Sequence, residues 1–149
     1  MTQTIRMNDG RAIPALGFGL WQVPADQTAR VTREALTMGY RLVDGAAIYG
    51  NEAGQGEGIR MSGLSRDEIF VTTKCWNSDQ GHDAALRAFD ASLKRLQLDR
   101  VDLYLIHWPC PDRNLFVDTW RALIRLRDEG RATSIGFSNF NLPHLERLI

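Results

Sequence analysis

VDLYLIHW, residues 101–108, is a nearly continuous apolar run that ends in a histidine and a tryptophan. Such a run is typical of a parallel strand covered on both faces, since a half-exposed strand alternates apolar and polar residues. Segments with helical periodicity, residues 80–95 and 115–128, stand on either side of it. The stretch therefore predicts a strand inside a parallel sheet built from alternating strands and helices.

The same alternation runs along the rest of the chain and predicts an α/β fold. Residues 4–14 form a predicted β-hairpin around the turn signal Asn8-Asp9-Gly10. After the hairpin, strands are predicted at 15–18, 41–43, 69–73, 101–106 and 134–137, and helices at 25–38, 52–61, 80–95, 115–128 and from Leu142 onward. We expect right-handed βαβ units in a single domain, residues 1–149. The helix at 52–61 is the predicted weak element, because it contains three glycines.

Composition indicates an ordinary soluble globular protein. The 149 residues are 44% hydrophobic and 24% charged, and 18 basic side chains balance 18 acidic ones. Zero net charge gives no indication of a nucleic-acid or acidic-membrane partner. No apolar run reaches the length of a membrane span, and the N-terminus does not resemble a signal peptide. The cysteines Cys75 and Cys110 lack metal-ligand spacing, so we expect no metal site and a reducing, cytoplasmic location.

Polar or ionisable residues follow each predicted parallel strand. They recur roughly every 30 residues, about once per βα unit. In a parallel barrel all these strand ends lie on one face, which is the face where such barrels carry their active sites. The pattern predicts a TIM-type barrel with neighbouring side chains from Gly19-Leu20-Trp21, Asp44, Lys74, His107 and Ser138-Asn139.

Three of these residues, Asp44, Lys74 and His107, together with Tyr49 suggest acid catalysis. A free tyrosine is a poor acid at neutral pH, but a nearby ammonium group favours its phenolate form. We expect Lys74 to act in this way on Tyr49, with Asp44 keeping the lysine charged and correctly aimed. His107 would hydrogen-bond a substrate oxygen and place it against Tyr49. Together the four residues predict a general acid that protonates a developing alkoxide. They include no reductant, so a cofactor that donates a hydride must be inferred.

The same residues could instead have only a structural role. Asp44 and Lys74 taken alone could form only a structural ion pair, and a single histidine on an apolar strand is more often part of a core. The coincidence of four such groups near strand ends favours catalysis. A phosphate-loop reading of GNEAGQGEGI, residues 50–59, is rejected because no Gly-Lys-Ser/Thr sequence follows.

Four motifs, taken together, resemble the aldo-keto reductases in order and spacing: DGAAIYGNE (44–52), FVTTKCWN (70–77), DLYLIHWP (102–109) and IGFSNF (135–140). The resemblance extends over all 149 residues and is greatest to the bacterial 2,5-diketogluconate reductase branch, which also begins with a short hairpin. It implies a (β/α)8 barrel that reduces aldehydes and ketones with NADPH.

The resemblance also implies roles for individual residues. Tyr49 would be the proton donor, assisted by Lys74 and Asp44, and His107 would orient the carbonyl. Cofactor contacts are implied for Gly19, Leu20, Asp44, Ser138 and Asn139, and substrate contacts for Trp21, Trp76, His107 and Trp108.

Two departures from the family pattern qualify this picture. Gly45 stands where the family usually has threonine, which predicts a looser turn after Asp44. The chain also has five predicted strands and about half the family's length, and so lacks the family's 2′-phosphate contacts. We expect the 149 residues to form an incomplete barrel that binds NADPH weakly and self-associates, whereas a full-length relative would be a monomer. The alternative interpretation is a truncated or non-catalytic nucleotide-binding relative.

Overall fold

The computed structural model describes residues 3–148, so the two ends of the predicted domain, residues 1–2 and 149, lie outside the described part. A short antiparallel hairpin precedes five parallel strands that alternate with helices. The elements are β1 (Thr4–Arg6), β2 (Ala12–Pro14), β3 (Phe18–Gly19), α1 (Ala25–Thr37), β4 (Leu42–Asp44), α2 (Glu52–Met61), β5 (Phe70–Cys75), α3 (His82–Leu96), β6 (Val101–Ile106), α4 (Phe116–Asp128), β7 (Ala132–Phe137) and α5 (Leu142–Glu146).

Every predicted strand and helix is present, and the predictions for β6 and α2 have the correct bounds. The largest error concerns the first parallel strand, which was predicted at residues 15–18. Only Phe18 and Gly19 pair with β4, opposite Val43 and Asp44. α3 begins at His82 rather than residue 80, because Gly81 takes a φ of 112° before the first helical residue.

The five parallel strands follow one another in chain order, β3-β4-β5-β6-β7, as consecutive units of a barrel do. Each strand pairs with the next, so all carboxyl ends lie at one edge. The core fills the space between the sheet and the helices and includes Val71, Phe89, Tyr104 and Leu123, all fully buried. The rings of Phe89 on α3 and Tyr104 on β6 meet edge to face, 4.7 Å between centroids.

The inner face of β6 is only partly covered, which corrects the prediction of a strand covered on both faces. Tyr104 and Ile106 are fully buried on the helix side. Leu103 and Leu105, which alternate with them, are half-buried. The reason is that the five parallel strands have no further strand of the same sheet opposite their inner face within residues 3–148.

The N-terminal hairpin is joined to the last strand of the sheet. Gly10, at a φ of 87°, closes its turn after Asp9. The Ser134 hydroxyl of β7 donates a 2.6 Å hydrogen bond to the Asp9 carboxylate. This bond holds the pKa of the Asp9 carboxyl below its ordinary value, and the backbone N–H of Arg11 adds to the effect. The first and last thirds of the chain are thereby connected.

The glycines of α2, which predicted a weak helix, allow close packing instead. A Cβ added at Gly56 would overlap the backbone carbonyl of Leu96 on α3. Similar overlaps would occur at Gly54 with Thr28 and at Gly58 with Thr32, both on α1. The helix therefore approaches both neighbours more closely than any larger residue would permit. None of the helices in residues 3–148 is long and apolar enough to cross a membrane.

The packing of α2 yields a stability prediction. Gly56→Ala gains about 1 kcal/mol of helix propensity, but the new methyl group meets the Leu96 backbone, which has little freedom to move. Overpacking of this kind typically costs about 1–3 kcal/mol, so we expect a net loss of stability. Urea unfolding of the variant measures it. Glu57→Ala, on the exposed face of α2, is the control and should not destabilise by more than about 0.5 kcal/mol.

The uncovered sheet yields a second prediction. Unpaired strand edges and exposed apolar faces promote association. We therefore expect the 149-residue chain, expressed alone, to scatter light as a species heavier than the 16.8 kDa monomer. Leu103→Lys, on the inner face, should reduce this association. The matched variant Met38→Lys, at a residue already 79% exposed, should leave it unchanged. A monomer at every concentration would contradict the expectation.

Candidate functional site

Consecutive strands bring the predicted site residues to one edge of the sheet. β4 ends at Asp44, Lys74 is the second-to-last residue of β5, and His107 directly follows β6. Ser138 follows β7, and its N–H donates to the Ile106 carbonyl of β6 at 2.8 Å. Parallel pairing therefore gathers residues that are far apart in the sequence.

The ammonium group of Lys74 is buried and has three acceptors. It donates to both carboxylate oxygens of Asp44, at 2.8 and 2.9 Å, and to the Gly45 carbonyl at 2.8 Å. A lysine has three N–H donors, so these contacts satisfy it completely. The Lys74 side chain is only 8% exposed, whereas that of Asp44 is 37% exposed. Asp44 and Lys74 thus form the predicted ion pair.

The turn after Asp44 is well held, despite the glycine at its start. The Gly45 N–H donates to the Thr72 carbonyl at 3.0 Å, and the Gly45 carbonyl accepts from Lys74. These bonds fix both sides of the residue, which differs from the loose turn expected from the sequence.

Tyr49 lies beside the lysine and the histidine. It ends a 3₁₀ turn, Ala47–Tyr49, which Gly50 terminates at a φ of 69°. The Lys74 nitrogen is 5.3 Å from the centre of the Tyr49 ring, and the His107 ring centre is 5.9 Å away. Since the hydrogen bonds of Lys74 go to Asp44 and Gly45, its influence on Tyr49 is through charge.

His107 lies in a largely apolar environment that favours its neutral form. Its ring meets Trp76 edge to face at 5.2 Å, and its Nδ1 is buried without a hydrogen-bond partner in the described part of the chain. Burial lowers the pKa of His107 below its ordinary value, the charge of Lys74 lowers it further, and Asp44 partly opposes both. A neutral imidazole can donate a hydrogen bond to an uncharged oxygen.

Ser138 and Asn139 present a donor and an acceptor at the end of β7. Asn139, at a φ of 63°, donates its amide to the His107 carbonyl at 2.9 Å and to the Ser138 oxygen at 3.0 Å. These bonds use the Asn139 amide hydrogens and the Ser138 oxygen as an acceptor, and leave the Ser138 hydroxyl hydrogen and the Asn139 amide oxygen available for other partners. This pair fits a carboxamide, which has one acceptor and one donor group.

The loop after β3 is fixed by a residue that the sequence analysis missed. Leu20 donates its N–H to the Asp44 carbonyl at 2.9 Å. Asn51 is buried, and its amide donates to the carbonyls of Leu20 and Val23 at 2.9 and 3.0 Å. It thereby links the Tyr49 turn to the Trp21 loop. The signal available in the sequence was an asparagine directly before helix α2, a position that favours side-chain bonds to backbone groups.

The three tryptophans predicted to contact the substrate differ in their relation to the site. Trp76 contacts His107, whereas Trp21 is 67% exposed and Trp108 is 44% exposed. Among the aromatic ring pairs of residues 3–148, His107 is paired with Tyr49 and with Trp76. Residues 3–148 also contain no group of three or more His, Cys, Asp or Glu side chains that could hold a metal ion.

Parallel βα units whose strands follow one another in chain order, with ionisable groups at the carboxyl edge, are the arrangement of a TIM barrel. Within that class the assignment is specific. A sequence model of the Aldo/keto reductase family matches residues 15–148, and the chain belongs to this family.

Curated relatives agree with the assignment. An aldo-keto reductase of Mycolicibacterium smegmatis is 55% identical over the whole chain, which covers 54% of that protein. Methylglyoxal reductase DkgA of Yersinia pestis is 48% identical over the whole chain, which covers 53% of it. The chain thus spans about half the length of the curated relatives that it matches.

Solved structures show the same fold. An aldo/keto reductase from Brucella melitensis is 56% identical with a TM-score of 0.96, and the alignment covers 100% of this chain and 58% of that one. A Gox0644 mutant in complex with NADPH is 46% identical with a TM-score of 0.93, over 99% and 53% of the two chains. A putative 2,5-diketo-D-gluconic acid reductase B is 42% identical with a TM-score of 0.93, over 99% and 52%.

The environment of His107 predicts a pH dependence of stability. Because the folded-state pKa is lowered, the unfolded chain takes up this proton at higher pH than the folded chain does. The contribution of neutral His107 to the free energy of unfolding should be fully present above about pH 6.5. It should be lost as the pH falls from there through the lower pKa of the folded state. Urea midpoints from about pH 8 to about pH 5 measure the slope.

Variants separate His107 from the other histidines. His107→Asn should flatten the slope, since the group responsible is gone. His82→Asn, at a side chain that is 40% exposed and contacts Asp83 rather than the site, should retain it. An unchanged slope in the His107 variant would assign the proton uptake to another group.

Proposed function

We propose that this chain provides the catalytic residues of an NADPH-dependent reductase of aldehydes and ketones, with Tyr49 as the proton donor. The observation that carries the proposal is the grouping of Tyr49, His107 and the Lys74–Asp44 pair at the carboxyl edge of the sheet. Four groups suited to one proton transfer are brought together from three βα units. Membership of the aldo/keto reductase family supports the same chemistry.

Lys74 and Tyr49 would provide the acid. Reduction of a carbonyl places negative charge on its oxygen, and a donor that loses a proton to that oxygen becomes a phenolate. The ammonium charge, 5.3 Å from the ring centre, lies near the negative charge that would form on the ring as the proton is transferred. Asp44 keeps the ammonium in place with two hydrogen bonds. The acid is therefore held ready before substrate arrives.

His107 would orient the substrate. As a neutral ring next to Tyr49, it can donate one hydrogen bond to the carbonyl oxygen that Tyr49 protonates. A protonated histidine in this place would compete with Tyr49 as the acid, and the lowered pKa of His107 favours the neutral ring. Trp76 packs against His107 and fixes its plane.

Residues at the carboxyl ends of the strands support the choice of NADPH as the cofactor. The hydroxyl of Ser138 and the amide oxygen of Asn139 would bind the carboxamide of a nicotinamide, and the Gly19–Leu20 backbone and Asp44 would lie beside its ribose. NADPH supplies the hydride when it is bound. The related Gox0644 mutant was solved in complex with NADPH, which supports the choice of cofactor.

We propose a small carbonyl compound as the substrate, bound against Trp21, Trp76 and Trp108. Flat apolar rings with a few polar groups suit such a molecule, and the Yersinia pestis relative is called a methylglyoxal reductase. We further propose a cytoplasmic location, which two free cysteines support, and no nucleic-acid partner, which zero net charge supports.

The test uses a polypeptide that carries this chain within a complete barrel. Tyr49→Phe should lower turnover of a small aldehyde by several orders of magnitude and leave NADPH affinity nearly unchanged, because the phenol acts only on the substrate oxygen. Stopped assays and cofactor fluorescence measure the two quantities.

The control is Tyr40→Phe, which removes a phenol that is 37% exposed and lies next to Phe18. Its turnover should match that of the unmodified protein. Retained turnover in Tyr49→Phe would exclude the proposed acid. Cofactor binding with no turnover in the unmodified protein would favour the non-catalytic nucleotide-binding relative.

A further inference from the structure

Gln55 is a fully buried polar residue on α2 that has no place in the catalytic group described above. Its amide nitrogen donates to two backbone carbonyls, of Val43 at 3.3 Å and Thr72 at 3.4 Å. Its amide oxygen is buried and has no hydrogen-bond partner in the described part of the chain. Such oxygens are uncommon inside proteins and call for an explanation.

The orientation of the Gln55 amide is determined by its neighbours. The reversed orientation would set its oxygen against two carbonyl oxygens, which is repulsive and makes no hydrogen bond. In the observed orientation the oxygen faces Gly45. A Cβ added at Gly45 would overlap the Gln55 oxygen and come within 3.0 Å of its amide carbon. Gln55 therefore fills the volume that any side chain at position 45 would require.

Gly45 connects this packing to the site. Its carbonyl is the third acceptor of the Lys74 ammonium, and its N–H donates to the same Thr72 carbonyl that Gln55 contacts. The Gln55 amide thus spans β4 and β5 behind Asp44 and Lys74. A shift of Gly45 would move one of the three acceptors of the lysine.

We propose that Gln55 is a positioning residue for Lys74 and acts through the Gly45 carbonyl, with residues 45 and 55 forming a sterically matched pair. The inference rests on the proposed function only in that Lys74 assists proton donation by Tyr49. It explains why this chain can carry glycine after Asp44 without losing the geometry of the ion pair.

The first experiment removes the amide and keeps the volume. Gln55→Met in a complete barrel should lower kcat by up to about tenfold, the limit reached if the full free energy of one or two hydrogen bonds were lost from the transition state, and leave KM unchanged. The apparent pKa of its pH–rate profile should rise, because a displaced Lys74 charge favours the anionic form of the acid less strongly. Lys74→Met, which removes that charge altogether, should raise it further. Hydrogen exchange of the Gly45 N–H should also become about tenfold faster.

Two controls separate positioning from general effects. Gln27→Met makes the same chemical change at an exposed position on α1 and should change none of these quantities. Thr119→Val removes a buried hydroxyl of α4 that bonds Gly81 and Leu115. The Thr119→Val variant should be less stable but should have an unchanged pH–rate profile.

The second experiment tests the match between the two residues. Gly45→Ala alone should lower kcat and the urea midpoint, because its methyl group overlaps Gln55. Gly45→Ala combined with Gln55→Ala should lose less than the sum of the two single variants, since the smaller residue gives the methyl group room. Purely additive losses would overturn the matched pair.

The outcomes distinguish this inference from the proposed function. An unchanged pH–rate profile in Gln55→Met would overturn the positioning role, even if Gly45 exchange became faster, because Gln55 would then only support packing. Retained turnover in Tyr49→Phe would instead reject the proposed acid. In that case the Gly45 exchange rates and the urea midpoints of the double variant would still decide whether residues 45 and 55 are coupled.

Discussion

The burial of the Lys74 ammonium group is the constraint on which the site depends. A charged group that leaves water needs a hydrogen-bond acceptor for each donor and a counter-charge. Asp44 and Gly45 supply both from the end of β4, and the parallel register of β4 and β5 brings them within reach. Tyr49 and His107 are then arranged around a fixed positive charge. The register of the sheet therefore determines the electrostatics of the site, because it places the acceptors and the counter-charge at the buried lysine.

Close packing of α2 behind the strands supports this arrangement of the sheet and the site. α2 lies nearer to α1 and α3 than an ordinary helix could, because glycines face both neighbours. The same helix carries Glu52, which is fully buried and accepts hydrogen bonds from Thr73 and Arg95 at 2.5 and 2.7 Å. One element thus ties the outer side of β5 to α3 with a second buried charge. On its inner side β5 carries the Lys74–Asp44 ion pair, and on its outer side the Thr73 hydroxyl donates to the buried Glu52 carboxylate, so both sides of the strand are held.

The order of elements and the grouping of the site were predictable because both follow from local patterns. Strand and helix periodicities fixed five βα units, and the parallel arrangement then required Asp44, Lys74 and His107 to meet. The roles of Asn51 and Gln55 were not predictable, since each bonds backbone groups on other elements that only the fold brings near. The glycines of α2 were misjudged for the same reason: helix propensity describes an isolated helix and contains nothing about its neighbours. The apolar run of β6 wrongly predicted a strand covered on both faces, because such a run does not reveal what lies opposite it. The partial exposure of the inner face agrees instead with the incomplete barrel that the chain's length predicted.

The hydrogen bond between Asp9 and Ser134 has a consequence for how the chain folds. The two residues are 125 positions apart, so forming this contact closes a loop that contains most of the protein. Neighbouring βα units close far shorter loops, and the entropy of loop closure rises with length. Contacts with such sequence separation raise the contact order of a fold and slow its formation. The small N-terminal hairpin therefore adds a long-range step to a fold whose other contacts are mostly between adjacent units.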